Sequence, residues 1–505
     1  MKKQIKRILV GLVALILIAA IAEYWWSTNQ IKAQTGAYTE IINPNRFVNS
    51  YEIIGIKNVK VLNADSVYFT VRNVVLKNGL IHSIDDPTAE NTEVEYIDGT
   101  GKYLIPGLID THVHLAESKN DLYLYLANGV TSVCEMFGTE QHLTWKQEKR
   151  QGAISPHLYV SSPKVGSLSG FNANMTKYYG GATHFNTEEA AAIGVKIFKD
   201  QGYDAIKLSS FLRLDIYNAI IDEANKLGIP VIGHLAEEIG LENLYGSGQS
   251  ELAHVEEITK NTMSAFGGLE YDNTEEYLQY LKSKADSIAI NLAENDISVS
   301  TTIWLMESLP KQKFDLDNFI KTIELEYANL GIVEGSEFNK GWLPGNNQYE
   351  NLEIKNDPER RPNSERFWKT YVEAIRIMTR ALAKNGVTIL AGTDANVACT
   401  VPGFSLHDEL ESLVKVGLLN EEVLYAATAA AADFMNENTG RIQVGKEADL
   451  ILLSANPLEN IKNTRDIERV FFDRFTINKD KIEEMLEAVA ESNNRNRDVD
   501  ISRHL

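Results

Sequence analysis

A chain of 505 residues, 44% of them hydrophobic, can bury at least one large core, and its length allows two or three domains. The formal net charge of −21 disfavours nucleic acid and anionic membrane surfaces as partners, because phosphate recognition needs clustered Lys and Arg. Only Cys134 and Cys399 are present, which excludes a disulfide scaffold, and no bridge between the two is expected.

In chain order, Lys2, Lys3, Lys6 and Arg7 precede the apolar run Ile8 to Ala22, and Glu23, Tyr24, Trp25 and Trp26 follow it. A basic head, an apolar stretch and the small-residue site Ala20-Ile21-Ala22 form the pattern of an export signal, whereas Tyr and Trp are the residues that sit at a membrane interface. Residues 1–26 are therefore expected to be a signal peptide or a membrane anchor, with the remainder exported, periplasmic or extracytoplasmic. The polar stretch 27–50 reads as a linker outside the fold. Residues 51–104 carry short alternating strands such as Val59 to Asn63 and Val71 to Lys77, with turns at Asn78-Gly79 and Gly99-Thr-Gly101. Similar β-rich sequence returns over 437–475, in Gly440 to Gly445, Ala448 to Leu453 and Arg469 to Phe472, and 476–505 reads as a helix and tail.

Between these ends, over 105–436, apolar strands alternate with helix-length amphipathic segments, the pattern of βαβ units around a parallel sheet. Eight strands are expected: Leu104 to His114, Val130 to Glu135, Leu158 to Ser162, Ala205 to Leu208, Ile229 to His234, Glu251 to His254, Ile297 to Ile303 and Val387 to Asp394. Helices are expected from Thr187 to Gln201 and from Asp215 to Leu227, the latter stopped by Gly228. The fold class is thus α/β, a (β/α)8 TIM barrel with a small β-sandwich built from both ends of the chain. The long connection from Glu307 to Ser364 is expected to cover the active face.

Barrel strands end at one rim, where catalytic groups gather from several strands. His112 and His114 are two apart on the first strand, so both imidazoles share a face and can converge on one cation. Other strand ends supply Lys207, His234, His254 and Asp394, which makes six candidate ligands on five strands. A lone strand-terminal histidine is commonly a satisfied core residue; six such groups at one rim point to a metal site.

With these residues the sequence resembles the amidohydrolase superfamily over nearly all of 52–475. The matching segments are Pro106-Gly-Leu-Ile-Asp-Thr-His-Val-His114, Gly129-Val-Thr-Ser132, the strand-four lysine, the histidines of strands five and six, Gly392-Thr-Asp394, Ser405-Leu-His-Asp-Glu-Leu410, Ala426-Ala-Thr428 and Gly440 through Leu450. The motif set is most similar to the binuclear branch containing Xaa-Pro dipeptidases, and imidazolonepropionase is similar in layout. The resemblance implies two divalent metal ions, Zn2+ by preference, bridged by a carboxylated Lys207. One ion would also be held by His112, His114 and Asp394, the other by His234 and His254. A hydroxide held by the metals would then hydrolyse a carbon-nitrogen bond of a small amide or peptide, with Asp394 as the proton carrier. Asp110, Glu237 and His407 are expected neighbours of that site, Cys134 and Glu135 leave the strand-two contribution unassigned, and the protein is expected to be a homo-oligomer.

Three alternatives carry their own signals. His234-Leu-Ala-Glu237 has the His-x-x-Glu spacing of mononuclear deaminases of the superfamily, although a bridging Lys207 has no use there. A lactonase or esterase could use the same hydroxide. A non-catalytic binding protein on the same fold would be expected to have lost part of the ligand set.

Overall fold

The computed structural model describes residues 2–63, 68–88, 94–336 and 339–505. Eight short parallel strands, Leu108–Val113, Val130–Glu135, His157–Val160, Ile206–Leu208, Val231–Gly233, Glu251–Ala253, Ser298–Ser300 and Ile389–Leu390, follow one another around a barrel. Where the ladders thin, single contacts carry the ring round: Ser161 bridges Ala205, the Ser250 amide donates to the Val231 carbonyl at 2.9 Å, and Val113 bridges Ala395. The Thr111 amide donates to the Ala391 carbonyl at 3.0 Å and joins the eighth strand back to the first. The lumen is packed with Ile109, Cys134, Met136, Tyr159, Ala205, Ile232 and Ala253, and the helix Ala429–Met435 contributes Ala431, Ala432 and Met435 to the same cluster. Both cysteines are free and buried.

The expected helices form for the reasons their sequences carry. Glu188–Gln201 is capped by the Thr187 hydroxyl accepting from the Ala190 amide, and Leu214–Leu227 ends on Gly228 at φ 65°. The first barrel strand is shorter than expected. Tyr103–Pro106 pairs antiparallel with Leu450–Leu453 and belongs to a nine-stranded sheet made from both ends of the chain, and only after Gly107 does the barrel begin. That sheet wraps its own core of Ile56, Val59, Val74, Leu76, Ile81, Leu104, Leu450 and Phe471. Residues 440–447, expected to hold a strand, form a turn with Gly440 and Gly445 at φ 79° and 89°, a backbone that breaks a ladder. Ile303, expected to end a strand, starts the helix Ile303–Phe314.

The N-terminal residues depart most from expectation. One helix, Lys2–Thr35, runs through the boundary drawn at residue 26, and the stretch expected to be a free linker packs on the barrel domain. Polar residues 27–35 still include good helix formers (Gln, Lys, Ala), so loss of hydrophobicity there did not mean loss of helix. The Ile42 amide donates to Asn120 Oδ1 at 3.1 Å and the Asn120 side-chain amide donates to the Glu40 carbonyl at 2.9 Å. The connection after strand seven is largely helical and packs inward: Trp342 is buried, and Gln312 donates to the Ala398 carbonyl at 3.0 Å in the loop beyond Asp394.

Candidate metal centre

All six expected ligands come to the rim formed by the C-terminal strand ends. Asp394 Oδ1 lies 2.9 Å from His114 Nε2 and 3.3 Å from His112 Nε2. The His112 and His254 rings are 4.5 Å apart, and those of His254 and His234 5.2 Å. One donor atom each of His112, His254 and Asp394 falls within 4.8 Å of the others. Lys207 is fully buried on the fourth strand, facing the same space. Two glycines make the approach possible: a Cβ on Gly392 would sit 2.7 Å from that of His112, and one on Gly233 2.7 Å from Lys207 Cδ.

The donors fit a cation better than they fit one another. His112 Nδ1 and Nε2, His114 Nδ1, Lys207 Nζ and Asp394 Oδ1 are buried without a hydrogen bond of proper geometry, a costly state unless another group satisfies them. Burial, with Lys207 adding to it, brings the His112 imidazole down to about 3, and burial holds His234 and His254 well below the usual range. These are neutral imidazoles, the form that ligates metal. Burial opposes ionisation of Asp394, yet His112 and His114 hold its carboxyl well below the usual carboxylate range. Lys207 is pulled down to about 8 by burial, against the pull of Glu251. Backbone strain gathers here too: Ala116, His254, Thr302, Asp394, Asn396 and Cys399 all have φ between 50° and 72°.

Further residues hold the donors in place. Glu257 Oε1 stands 3.3 Å from His234 Nδ1, and the Thr302 hydroxyl 2.8 Å from His254 Nδ1, so the Nε2 atom of each ring is left for a metal. Glu135, at the end of strand two, accepts from the Leu115 amide at 2.5 Å and the Phe137 amide at 2.7 Å and faces His114 Nδ1 at 3.9 Å.

Comparison with known proteins agrees with this geometry. The amidohydrolase family model matches residues 103–478. The chain belongs to the amidohydrolase family. Among curated amidohydrolase relatives, a dihydroorotase of Trichlorobacter lovleyi is 31% identical over 195 residues, which is 37% of this chain and 43% of that one. An adenine deaminase of Methanococcoides burtonii is 39% identical over 77 residues, 14% of this chain and 13% of that one. The matched part is thus less than half of either relative. Among solved structures, a bottromycin amidohydrolase superposes with a TM-score of 0.69 at 19% identity, covering 92% of this chain and 96% of the other. A Xaa-Pro dipeptidase with bound methionine gives 0.59 at 16% identity, covering 84% and 100%. These two likenesses show the fold.

Of the three residues expected beside the site, Asp110 adjoins it, while Glu237 and His407 stand elsewhere. Asp110 accepts from the Thr393 hydroxyl at 2.7 Å and from the His112 amide at 3.2 Å, so it ties strand one to strand eight through hydroxyl and backbone rather than steadying an imidazole. Burial raises its carboxyl to about 7. Glu237 is exposed on the turn after strand five. His407 lies away from the six grouped residues. Its ring bridges the Thr464 hydroxyl at 2.9 Å and the carbonyl of Asn128 at 3.1 Å, before strand two and therefore at the opposite rim. Besides Glu257 and Thr302, two further residues escape the sequence reading. Lys164, past the end of strand three, feels the Asp394 and Glu257 carboxylates, although burial lowers its pKa, and the half-buried Tyr349 phenol is raised by burial and by Asp394. Lys164 was findable, since it too follows a strand end.

Proposed function

We propose that the protein is a metal-dependent hydrolase of a carbon-nitrogen bond, an amide or dipeptide, in a small substrate, and that the helix Lys2–Thr35 holds it at a membrane with the barrel outside the cytoplasm. The observation that carries the catalytic reading is the convergence of buried, unpartnered donors on one space, with Asp394 Oδ1 reaching both strand-one imidazoles. His112, His114 and Asp394 would hold one divalent ion, His234 and His254 a second, and zinc suits so imidazole-rich a set. When bound, such ions supply Lewis acidity toward the carbonyl oxygen and acidify water.

The rest falls to the chain. The Lys207 ammonium would oppose two cations. Addition of its neutral Nζ to CO2, with one N–H proton released to solvent, gives instead an anionic carbamate able to bridge them. Asp394, kept ionised by its neighbours, orients the attacking water, accepts its proton and returns it to the leaving nitrogen. Glu257, Thr302 and Glu135 fix the imidazoles. The exposure of Glu237 favours this reading over the deaminase alternative, which needs that glutamate inside the site.

The anchor reading rests on a helix with mean hydropathy 2.5 over its apolar window, none of it buried in the fold. Metal analysis after purification without chelators, with a panel of dipeptides, N-acyl amino acids, cyclic amides and lactones, tests the catalytic reading. Two divalent ions per chain, a CO2 mass adduct and amide hydrolysis are expected. One ion with ammonia release would replace the reading with deamination, lactone cleavage alone would replace it with ester chemistry, and a metal-free inert protein would remove it.

A further inference from the structure

The N-terminal helix does not leave the barrel domain at a neutral place. Its second half touches three of the connections that surround the metal centre. The Glu117 amide, beyond strand one, donates to the Thr35 carbonyl at 2.9 Å. Beyond strand three, Tyr178 lies with its hydroxyl 2.6 Å from Ser27 Oγ and its ring 5.9 Å from that of Tyr24. Beyond strand seven, Ser336 donates to Gln34 Oε1 at 2.9 Å, and Gly331 packs so closely on the Ala33 carbonyl that a Cβ would stand 2.1 Å from it. An apolar helix of membrane-crossing length thus rises from the catalytic rim itself.

Level with its aromatic end lies a second apolar surface. In the helix Gly170–Gly180, Phe171, Met175 and Tyr178 fall at i, i+4 and i+7, one face of a helix, and Phe171 is 75% exposed. Phe211, beyond strand four, is 55% exposed, and its carbonyl accepts from the Ser167 amide at 2.9 Å, just ahead of that helix. The patch meets the N-terminal helix where Tyr178 packs on Tyr24, next in sequence to the exposed Trp25, and Tyr and Trp settle at the headgroup level. Water-exposed Phe at the tip of an active-site connection is unfavourable unless something covers it, and the segment beside it is one that a bilayer would hold.

We infer that the catalytic mouth of this protein faces the membrane in which it is anchored, with Phe171, Met175 and Phe211 dipped into the lipid interface beside Trp25. The inference rests on the anchor reading above. The acidic charge of the protein does not oppose it, because the contact is apolar and suits zwitterionic lipid. Substrate would then reach the metal centre along the membrane surface.

Nitroxide labels on the full chain in phosphatidylcholine nanodiscs test this. The native cysteines are both buried, so labels can be placed by Phe171→Cys, by Leu15→Cys in the apolar helix, and by Val444→Cys on the distant β domain. Met175→Cys serves as a second reporter of the patch. Collision with lipid-dissolved oxygen relative to a water-soluble nickel chelate should be several-fold higher at 15, 171 and 175 than at 444. A lipid signature at 15 with aqueous values at 171 and 175 would overturn the docked mouth and leave the anchor standing. Aqueous values at 15 as well would overturn both.

Discussion

The two ends of the barrel carry similar side chains and put them to opposite use. At the C-terminal rim, burial keeps His112, His234 and His254 neutral and leaves their ring nitrogens and Lys207 Nζ facing a shared space. At the other rim, His157 begins strand three with Nε2 3.2 Å from Asp449 Oδ2 and 3.5 Å from Glu447 Oε2. Burial works against protonation of His157, yet Asp449 lifts it to about 9. Both sets leave buried His and carboxylate atoms without a hydrogen bond of proper geometry, but the neutral rings of the first call for a cation from outside, whereas the carboxylates of the second favour a cation on the imidazole itself. Clusters of His and carboxylate are therefore told apart by which protonation state their surroundings favour, and not by residue type.

The largest expected effect lies at the C-terminal rim. Asp394→Asn should lower turnover by about 10²–10⁴-fold while His112, His114, Lys207, His234 and His254 retain much of the metal. Steady-state kinetics together with metal analysis check this, and unchanged turnover would remove Asp394 as the proton carrier. Next comes the group that fixes a ligand. Glu257→Gln weakens the hold on His234 Nδ1 and should cost about 10–100-fold in metal affinity, measured by competition with a chelator; equal affinity would make Glu257 a bystander.

How much of this was legible follows from where the residues sit. His112, His114, Lys207, His234, His254 and Asp394 could be found because barrel geometry sends every strand end to one rim, so sequence position stands for place. Glu135 was open to the same argument as the last residue of strand two, whereas Glu257 acts from within a helix on a partner 23 residues away, and no local pattern marks it. The His-x-x-Glu spacing carries no information on burial, and Glu237 lies exposed on a turn. His407 misled because a helix after strand eight suggests the active face, while residues 391–403 form a connection long enough to carry its first turn elsewhere. The sheet assembled from both ends of the chain was readable as alternating strands, but its junction with the barrel was not. Leu104 and Leu108 are equally apolar, and Gly107 between them gave the only hint that two strands meet there.

At the opposite rim the effects should be on stability alone. His407→Ala strips the Thr464 hydroxyl and the Asn128 carbonyl of a buried partner and should cost about 1–3 kcal/mol, visible as a lower melting temperature with kcat/KM and metal content unchanged. A loss of metal in this variant would show that the two rims are coupled.

The smallest effect tests the comparison most directly, through pH. The folded pKa of His157 is raised to about 9, above the ordinary value near 6.5 of the unfolded chain. The folded state therefore binds this proton more tightly, so the stabilisation is complete below about pH 6.5 and disappears as pH rises through about 9. His157→Gln removes it, at a cost on the order of 1 kcal/mol because the ring remains partly solvated. Denaturant midpoints of the two proteins should stand furthest apart near pH 6 and converge above pH 9. A gap that widened with pH would mean that His157 is neutral in the folded protein, and the cluster it forms with Glu447 and Asp449 would then resemble the catalytic rim in holding donors for a cation from outside.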